Sequence, residues 1–255
     1  MLIAVTSGKG GVGKTHFSVN MSLLLSKRFE TVLVDADTGL GNVDLVLGKK
    51  FEVNLIDVFV SDLPLKKLLP QYEDLWVVPA PSGVVELADL SNREKRVLET
   101  FLNGLDSEFD VVVLDTAAGI HSAVRFFLEK ADKIVLVVVP DPASLNDAMG
   151  LIMSSSASEF YLVVNRCLSH KEAKMVHNLL IDWVKYTDKV VHFLGWLPED
   201  PKLREAVFSR KPVVEYAPDS RFSSLLSNIV SKLVNLKGDG DERGVEKLSD
   251  VLYKG

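Results

Sequence analysis

The chain has a single cysteine among its 255 residues. Cys167 cannot by itself form an internal disulfide, a Cys-x-x-Cys redox pair or a cysteine-rich zinc site. A reducing compartment and a free, buried thiol are expected. Positive charge is also scarce: 29 Lys and Arg face 35 Asp and Glu, for a formal charge of −6. A protein that coats DNA by charge alone needs the opposite balance, so no specific nucleic-acid partner is expected. Nor does any run approach the roughly 18 apolar residues of a membrane-spanning helix. The longest apolar stretches, such as Ile134–Val139, have the length of buried strands. No targeting segment is expected, since Leu2–Val5 runs straight into a glycine loop with no basic region or cleavage site. A soluble, cytoplasmic chain is expected. With 16 Gly and 10 Pro, the low-complexity and fibrous classes are excluded as well.

The residues that are present, 47% apolar and 25% charged, form short aliphatic runs between amphipathic stretches. Leu2–Val5, Thr31–Val34, Leu75–Val78, Val111–Leu114, Ile134–Val139, Tyr161–Val164 and Val190–Phe193 read as strands. Most are apolar at every position rather than at alternate ones, as a parallel sheet covered on both faces requires. Between them Phe17, Met21, Leu24, Leu25 and Arg28 follow helical spacing, as do Val97, Phe101, Leu102 and Leu105. The alternation predicts one α/β domain over residues 1–236, a doubly wound, mostly parallel sheet with helices on both faces. Beyond it, the polar, glycine-rich stretch 237–244 predicts a flexible linker. Within 245–255, Val245, Leu248, Val251 and Leu252 share one helical face, which predicts a short amphipathic segment.

After the first strand comes Gly8-Lys9-Gly10-Gly11-Val12-Gly13-Lys14-Thr15, which satisfies G-x-x-x-x-G-K-[ST] at every fixed position. Glycines let successive backbone N–H groups turn inward and form a nest for an anion. A helix beginning near Lys14 aims its positive end at the same phosphates. Lys14 is expected to reach the β and γ phosphates and the Thr15 hydroxyl to ligate Mg²⁺. The nucleotide-binding run is taken as Gly8, Gly10, Gly11, Val12, Gly13, Lys14, Thr15 and His16. Lys9 is a second cation that a generic phosphate loop does not need. Lys-Gly-Gly-Val-Gly-Lys-Thr is the deviant Walker A motif, and with it the sequence resembles the ParA/MinD superfamily of P-loop ATPases. That resemblance implies that Lys9 crosses a dimer interface to the partner's nucleotide phosphates. ATP and Mg²⁺ are the implied cofactors.

The second strand ends in Asp35-Ala36-Asp37, beside the phosphate site of a doubly wound sheet. The resemblance places the group that orients the attacking water on Asp37. Asp35 is expected to support the loop and the Mg²⁺ shell, and Asp44 to cap the turn that follows. The fourth apolar run, Val111–Leu114, is followed by Asp115-Thr116-Ala117-Ala118-Gly119-Ile120, a Walker B arrangement with Asp115 placed for Mg²⁺. Gly119 permits a backbone turn that follows the γ-phosphate. Val164-Asn165-Arg166 and Gly195-Trp196-Leu197-Pro198-Glu199-Asp200 resemble the superfamily's adenine pocket, which favours ATP over GTP. That resemblance assigns Asn165, Arg166, Pro198, Glu199 and Asp200 to the base.

One cysteine excludes the iron–sulfur carriers of the superfamily, and Tyr253 standing alone excludes its tyrosine kinases. The segment from Leu2 to about Leu236 resembles the MinD/FlhG branch. Pro79-Ala80-Pro81-Ser82-Gly83-Val84-Val85-Glu86-Leu87-Ala88-Asp89-Leu90 looks like FlhG, as does Asp115–Ile120. Pro140–Ala148 and Pro212–Ser220 point the same way. The implied function is an ATP-dependent dimerisation switch that regulates flagellar number or placement, slow in hydrolysis and stimulated by a partner. Division-site placement of the MinD type and DNA partitioning of the ParA type are the alternatives, with a metabolic ATP-using enzyme of this fold a further class. FlhG proteins often carry an N-terminal extension that stimulates FlhF; here the first strand begins at Leu2, so that stimulation is not expected. The implied partner is a flagellar or division-site protein, an FlhF-like one included. In this branch a C-terminal amphipathic helix carries the ATP-bound homodimer to anionic lipid. From Arg243 to Gly255 three basic side chains face two acidic ones, so each copy is expected to bind weakly and two copies to gain by effective concentration. Peripheral attachment to the inner face of the cell membrane is the implied location.

Overall fold

The computed structural model describes residues 1–37, 41–53, 65–80 and 90–235. The expected linker 237–244 and segment 245–255 lie outside the described residues, as do Thr38–Leu40 and positions 81–89 of the FlhG-like run.

The strands are β1 (Leu2–Thr6), β2 (Thr31–Ala36), β3 (Gln71–Tyr72), β4 (Leu75–Val78), β5 (Val111–Thr116), β6 (Lys133–Val138), β7 (Glu159–Cys167) and β8 (Val190–Pro198). They form one sheet in the order β3-β4-β2-β5-β1-β6-β7-β8, parallel except where β3 meets β4. All seven expected strands are present. The two-residue β3 is too short to leave a pattern, and it was not foreseen. β7 and β8 run further than expected, so Asn165, Arg166 and Gly195–Pro198 belong to strands rather than loops.

The helices are α1 (Lys14–Ser26), α2 (Val43–Leu47), α3 (Leu65–Leu68), α4 (Asn92–Glu108), α5 (Ser122–Lys130), α6 (Pro142–Ser154), α7 (His170–Val184), α8 (Pro201–Phe208), α9 (Val213–Tyr216) and α10 (Arg221–Asn235). Alternate strand residues feed different cores. Ile3, Val5, Val113, Val135 and Val163 pack with Phe17 and Met21 of α1 and with Phe222 and Leu226 of α10. On the other face, Ala4, Leu136 and Leu162 pack with α6 and α7, and Leu2, Val112 and Leu114 with α4. Burial on both faces explains why the runs do not alternate.

Two helix readings need correction. On α4 the buried face holds Leu98, Phe101, Leu102 and Leu105, whereas Val97 is 41% exposed. Neighbours on a helix differ by about 100°, so the spacing left the phase one residue ambiguous. Ser91 and Glu94 set the start of α4 by a reciprocal capping box. Arg28 lies beyond α1, which ends at Ser26. α1 itself is buried nearly all round, and its polar side chains are satisfied inside. Ser22 donates to Ser18 O, the Ser18 hydroxyl lies within 3.1 Å of Lys14 O, and Asn20 bridges His16 O and Val214 N–H.

Candidate functional site

The carboxyl ends of β1, β2 and β5 converge, with Val5 and Asp35 both in register with Asp115. Over them the phosphate loop enters α1 through Gly13, whose backbone is left-handed (φ 91°). A Cβ there would lie 2.5 Å from the Asn165 amide nitrogen, so a side chain is excluded by both conformation and space. The Asn165 amide donates to Val12 O at 2.8 Å, and its oxygen accepts from Arg166 N–H at 2.9 Å. Both ends of this side chain hold backbone. Asn165 thus braces the loop from β7.

Lys14 is buried, with Nζ 3.3 Å from Asp115 Oδ1, and the Ser18 hydroxyl donates to the same oxygen at 2.9 Å. The other oxygen, Asp115 Oδ2, is buried with no hydrogen-bond partner among the described residues. An unpartnered buried carboxylate oxygen is costly unless something binds it. Beside it, Asp35 accepts from the amides of Asp37 and Val43, each at 3.2 Å. Burial, and secondly the Asp115 carboxylate, push the Asp35 pKa up to about 7. Asp35 therefore caps the turn into α2, as well as lying beside Asp115. Asp44 accepts from Leu45 N–H at 2.7 Å in the first turn of α2.

A cavity of about 690 Å³ opens in front of these groups. Its lining includes Gly10, Gly11, Gly13, Lys14, Thr15, His16, Asp37 and Arg166 from the sequence expectation. Burial and the Arg166 cation hold the His16 pKa below its ordinary value. Gly119 (φ 94°) donates its N–H to Ser7 O at 2.9 Å, which ties the turn after β5 to the loop. Val12 is buried beneath the loop, and Gly8 packs closely on the α6 backbone at Asp147.

Lys9 faces elsewhere. It is absent from the lining, and its ammonium sits 3.2 Å from Asp141 Oδ1, with both side chains about 40% exposed. Asp141 also caps α6 by accepting from Ser144 N–H at 2.9 Å. That bond first, and Lys9 after it, hold its carboxyl below the usual range.

The structure does not bring the whole expected base pocket to the cavity. Asn165, Pro198, Glu199 and Asp200 do not line it. Asp200 caps α8 by accepting from Lys202 N–H at 2.9 Å and also holds Phe222 N–H at 3.1 Å. Conversely, Asn42, Leu45, Val46, His121, Val207, Arg210 and Lys211 line the cavity without having been singled out. His121 directly follows the Asp115–Ile120 run, at the start of α5, and the others are carried there by α2, α8 and the turns at their ends.

A family model described as an AAA domain matches residues 1–159. The antiactivator FleN of Pseudomonas aeruginosa is 34% identical, over 95% of this chain and 89% of its own length. The flagellum site-determining protein YlxH of Helicobacter pylori is 32% identical, over 91% of this chain and 81% of its own. Among solved structures, the MinC:MinD cell division protein complex of Aquifex aeolicus matches with a TM-score of 0.72 and 27% identity, across 92% of this chain and 96% of that one. Fold, phosphate loop and relatives agree: the chain belongs to the ParA/MinD family and is an ATPase of the MinD/FlhG type.

Proposed function

We propose that this ATPase is a dimerisation switch acting on flagellar number or placement, loaded with ATP in the cavity before α1. Lys14 and the loop amides hold the phosphates, and Asp37 orients the attacking water. The Arg166 side chain meets the base-side part of the nucleotide while Asn165 keeps the loop in shape. Glu199, Asp200 and Pro198 support that wall from behind. Thr15 and Asp115 would hold Mg²⁺, which would supply charge neutralisation for the phosphates. The unpartnered Asp115 Oδ2 fits that assignment. Magnesium is commonly held by one or two carboxylates together with substrate phosphates.

The observation that carries the switch reading is the direction of Lys9. A loop cation serving its own nucleotide belongs in the cavity, yet Lys9 stands outside it on Asp141. That supports a role across an interface, where Lys9 leaves Asp141 for the phosphates of a second copy. The flagellar assignment is supported by the relatives FleN and YlxH. No helix among the described residues is long and apolar enough to cross a membrane. Attachment is assigned to segment 245–255, whose Val245, Leu248, Val251 and Leu252 share one helical face in the sequence.

Sedimentation equilibrium with ATP and with ADP tests the reading. The intact chain should dimerise with ATP only, and Lys9→Ala should stay monomeric. The ATP dimer should pellet with anionic liposomes, and truncation after Leu236 should abolish that. A chain that stays monomeric with ATP and turns over normally as Lys9→Ala is not such a switch.

A further inference from the structure

Three non-glycine residues among those described hold a left-handed backbone: Glu73 (φ 49°), Arg166 (φ 56°) and Arg210 (φ 49°). Two of them are arginines, and both line the nucleotide cavity. Glycine adopts this conformation without the clash a Cβ brings. An arginine there lowers stability relative to glycine, and strain of this kind gathers at ligand sites. Arg166 lies beside the strand-end Asn165 already assigned. Arg210 comes from the far end of the sequence, in the turn after α8.

The packing duties of Arg210 are all performed by its main chain. Its N–H donates to Val207 O at 3.1 Å, and the next amide, on Lys211, donates to Ala206 O at 3.1 Å. Its carbonyl oxygen lies only 2.2 Å from where a Cβ on Gly48 would stand. Gly48 (φ 64°) closes α2, and Asn42, Leu45 and Val46 of that region line the same cavity. The guanidinium, by contrast, makes no ion pair or hydrogen bond with any described residue. It stands exposed at the cavity with Lys14, Thr15, His16 and Lys211. Strain at the backbone and an unpaired cation at the side chain therefore coincide on one residue.

We propose that Arg210, seconded by Lys211, is a ligand of the nucleotide's phosphates, outside the phosphate loop and both carboxylate turns. Its main chain grips the end of α2 while its guanidinium takes a phosphate oxygen. Bound nucleotide and α2, which begins where Asp35 holds Val43, are thereby joined through a single residue. The inference rests on reading this cavity as the nucleotide site.

The test compares Arg210→Gly, Arg210→Asn and Arg210→Lys in the full chain. Glycine and asparagine both accept the left-handed backbone, so these variants keep the fold and separate side chain from main chain. Affinities for ATP, ADP and adenosine are measured by competition against a fluorescent nucleotide analogue. Arg210→Gly and Arg210→Asn should each weaken ATP and ADP about tenfold, in the range of one charged hydrogen bond, and leave adenosine within about twofold. Arg210→Lys should recover most of the loss. Unchanged ATP and ADP affinity overturns the proposal, and so does an equal loss for adenosine, which marks a side chain that only shapes the pocket. Lys14→Ala separates the two levels of the argument. If it too leaves ATP affinity intact, the cavity is not the nucleotide site and the Arg210 assignment falls with it. If it abolishes binding while Arg210→Gly does nothing, only the Arg210 assignment falls.

Discussion

Two cavities of nearly equal size differ in what their polar groups are doing. One, of about 690 Å³, opens at the carboxyl ends of the central strands; the other, of about 660 Å³, lies along β8 and α10. In the second, His192 stacks on Tyr161 at 5.2 Å between centroids and lies 3.3 Å from Glu159. Arg221 stands 5.0 Å over Trp196, and Lys174 4.0 Å over Phe193. Arg221, Lys174 and Glu159 flank the lining rather than form it, and each has a partner in it, whereas Lys232, which lines the cavity, has none among the described residues. In the first, Asp115 Oδ2 has none among the described residues, and two arginines hold strained backbones. Volume does not single out the functional cavity. A buried carboxylate oxygen without a partner and strained backbone do.

The largest effect that would break this contrast is at Lys14. Lys14→Ala removes the proposed phosphate ligand and strands the Asp115 carboxylate, so ATP turnover should fall more than about 100-fold. The chain should also lose about 3–5 kcal/mol of stability, as when one partner of a buried ion pair is removed. Turnover by phosphate release and chemical denaturation read the two losses separately. Next comes Asp37→Asn. Turnover should drop about 100-fold or more while ATP affinity stays near normal, if the carboxylate acts on water rather than on binding.

Asp35 offers a pH test that sharpens the same contrast. Its folded pKa of about 7 stands above its ordinary 3.8. The folded chain therefore keeps a proton that the unfolded chain releases as pH rises from about 4 to 7. Asp35 is thus harmless to stability below pH 4 and lowers it progressively up to pH 7, by at most about 4 kcal/mol. Between pH 4 and 8 the stability difference should move in favour of Asp35→Asn by up to that amount, measured by urea unfolding with chelator present. That gain comes on top of a pH-independent loss, because the amide NH2 cannot accept one of the two backbone N–H groups. A difference that does not move with pH would place the proton elsewhere. The smallest effect is expected in the second cavity. His192→Ala should change turnover less than about twofold, and its half-exposed pair with Glu159 is worth no more than about 1 kcal/mol. A large loss of turnover there would dissolve the distinction between the cavities.

Much of this was legible in the sequence, for identifiable reasons. Strands buried on both faces write themselves as unbroken apolar runs, so β1, β2 and β4 to β8 could be read directly. The phosphate loop is contiguous, and Asp35 and Asp115 sit at strand ends where the topology brings them together. What could not be read depends on direction rather than identity. Asn165 was visible at a strand end, yet only the fold shows its amide turned to Val12. Asp200 was read for the base, although Asp-Pro before a helix is equally a capping signal, and capping is what its carboxylate does. Arg210 and Lys211 lie about 200 positions from the loop they face. No spacing rule spans that distance.

The Asn165 brace has a consequence for how the chain comes to life. It links residues 153 positions apart, and contacts of such separation form late because loop closure must come first. During synthesis, residues 8–15 emerge early and find Asp115 and the Gly119 turn with β5, but they lack the Asn165 brace until β7 has docked beside β6. Competence to bind nucleotide therefore arrives only after most of the sheet has assembled, and ATP becomes a reporter of completed folding.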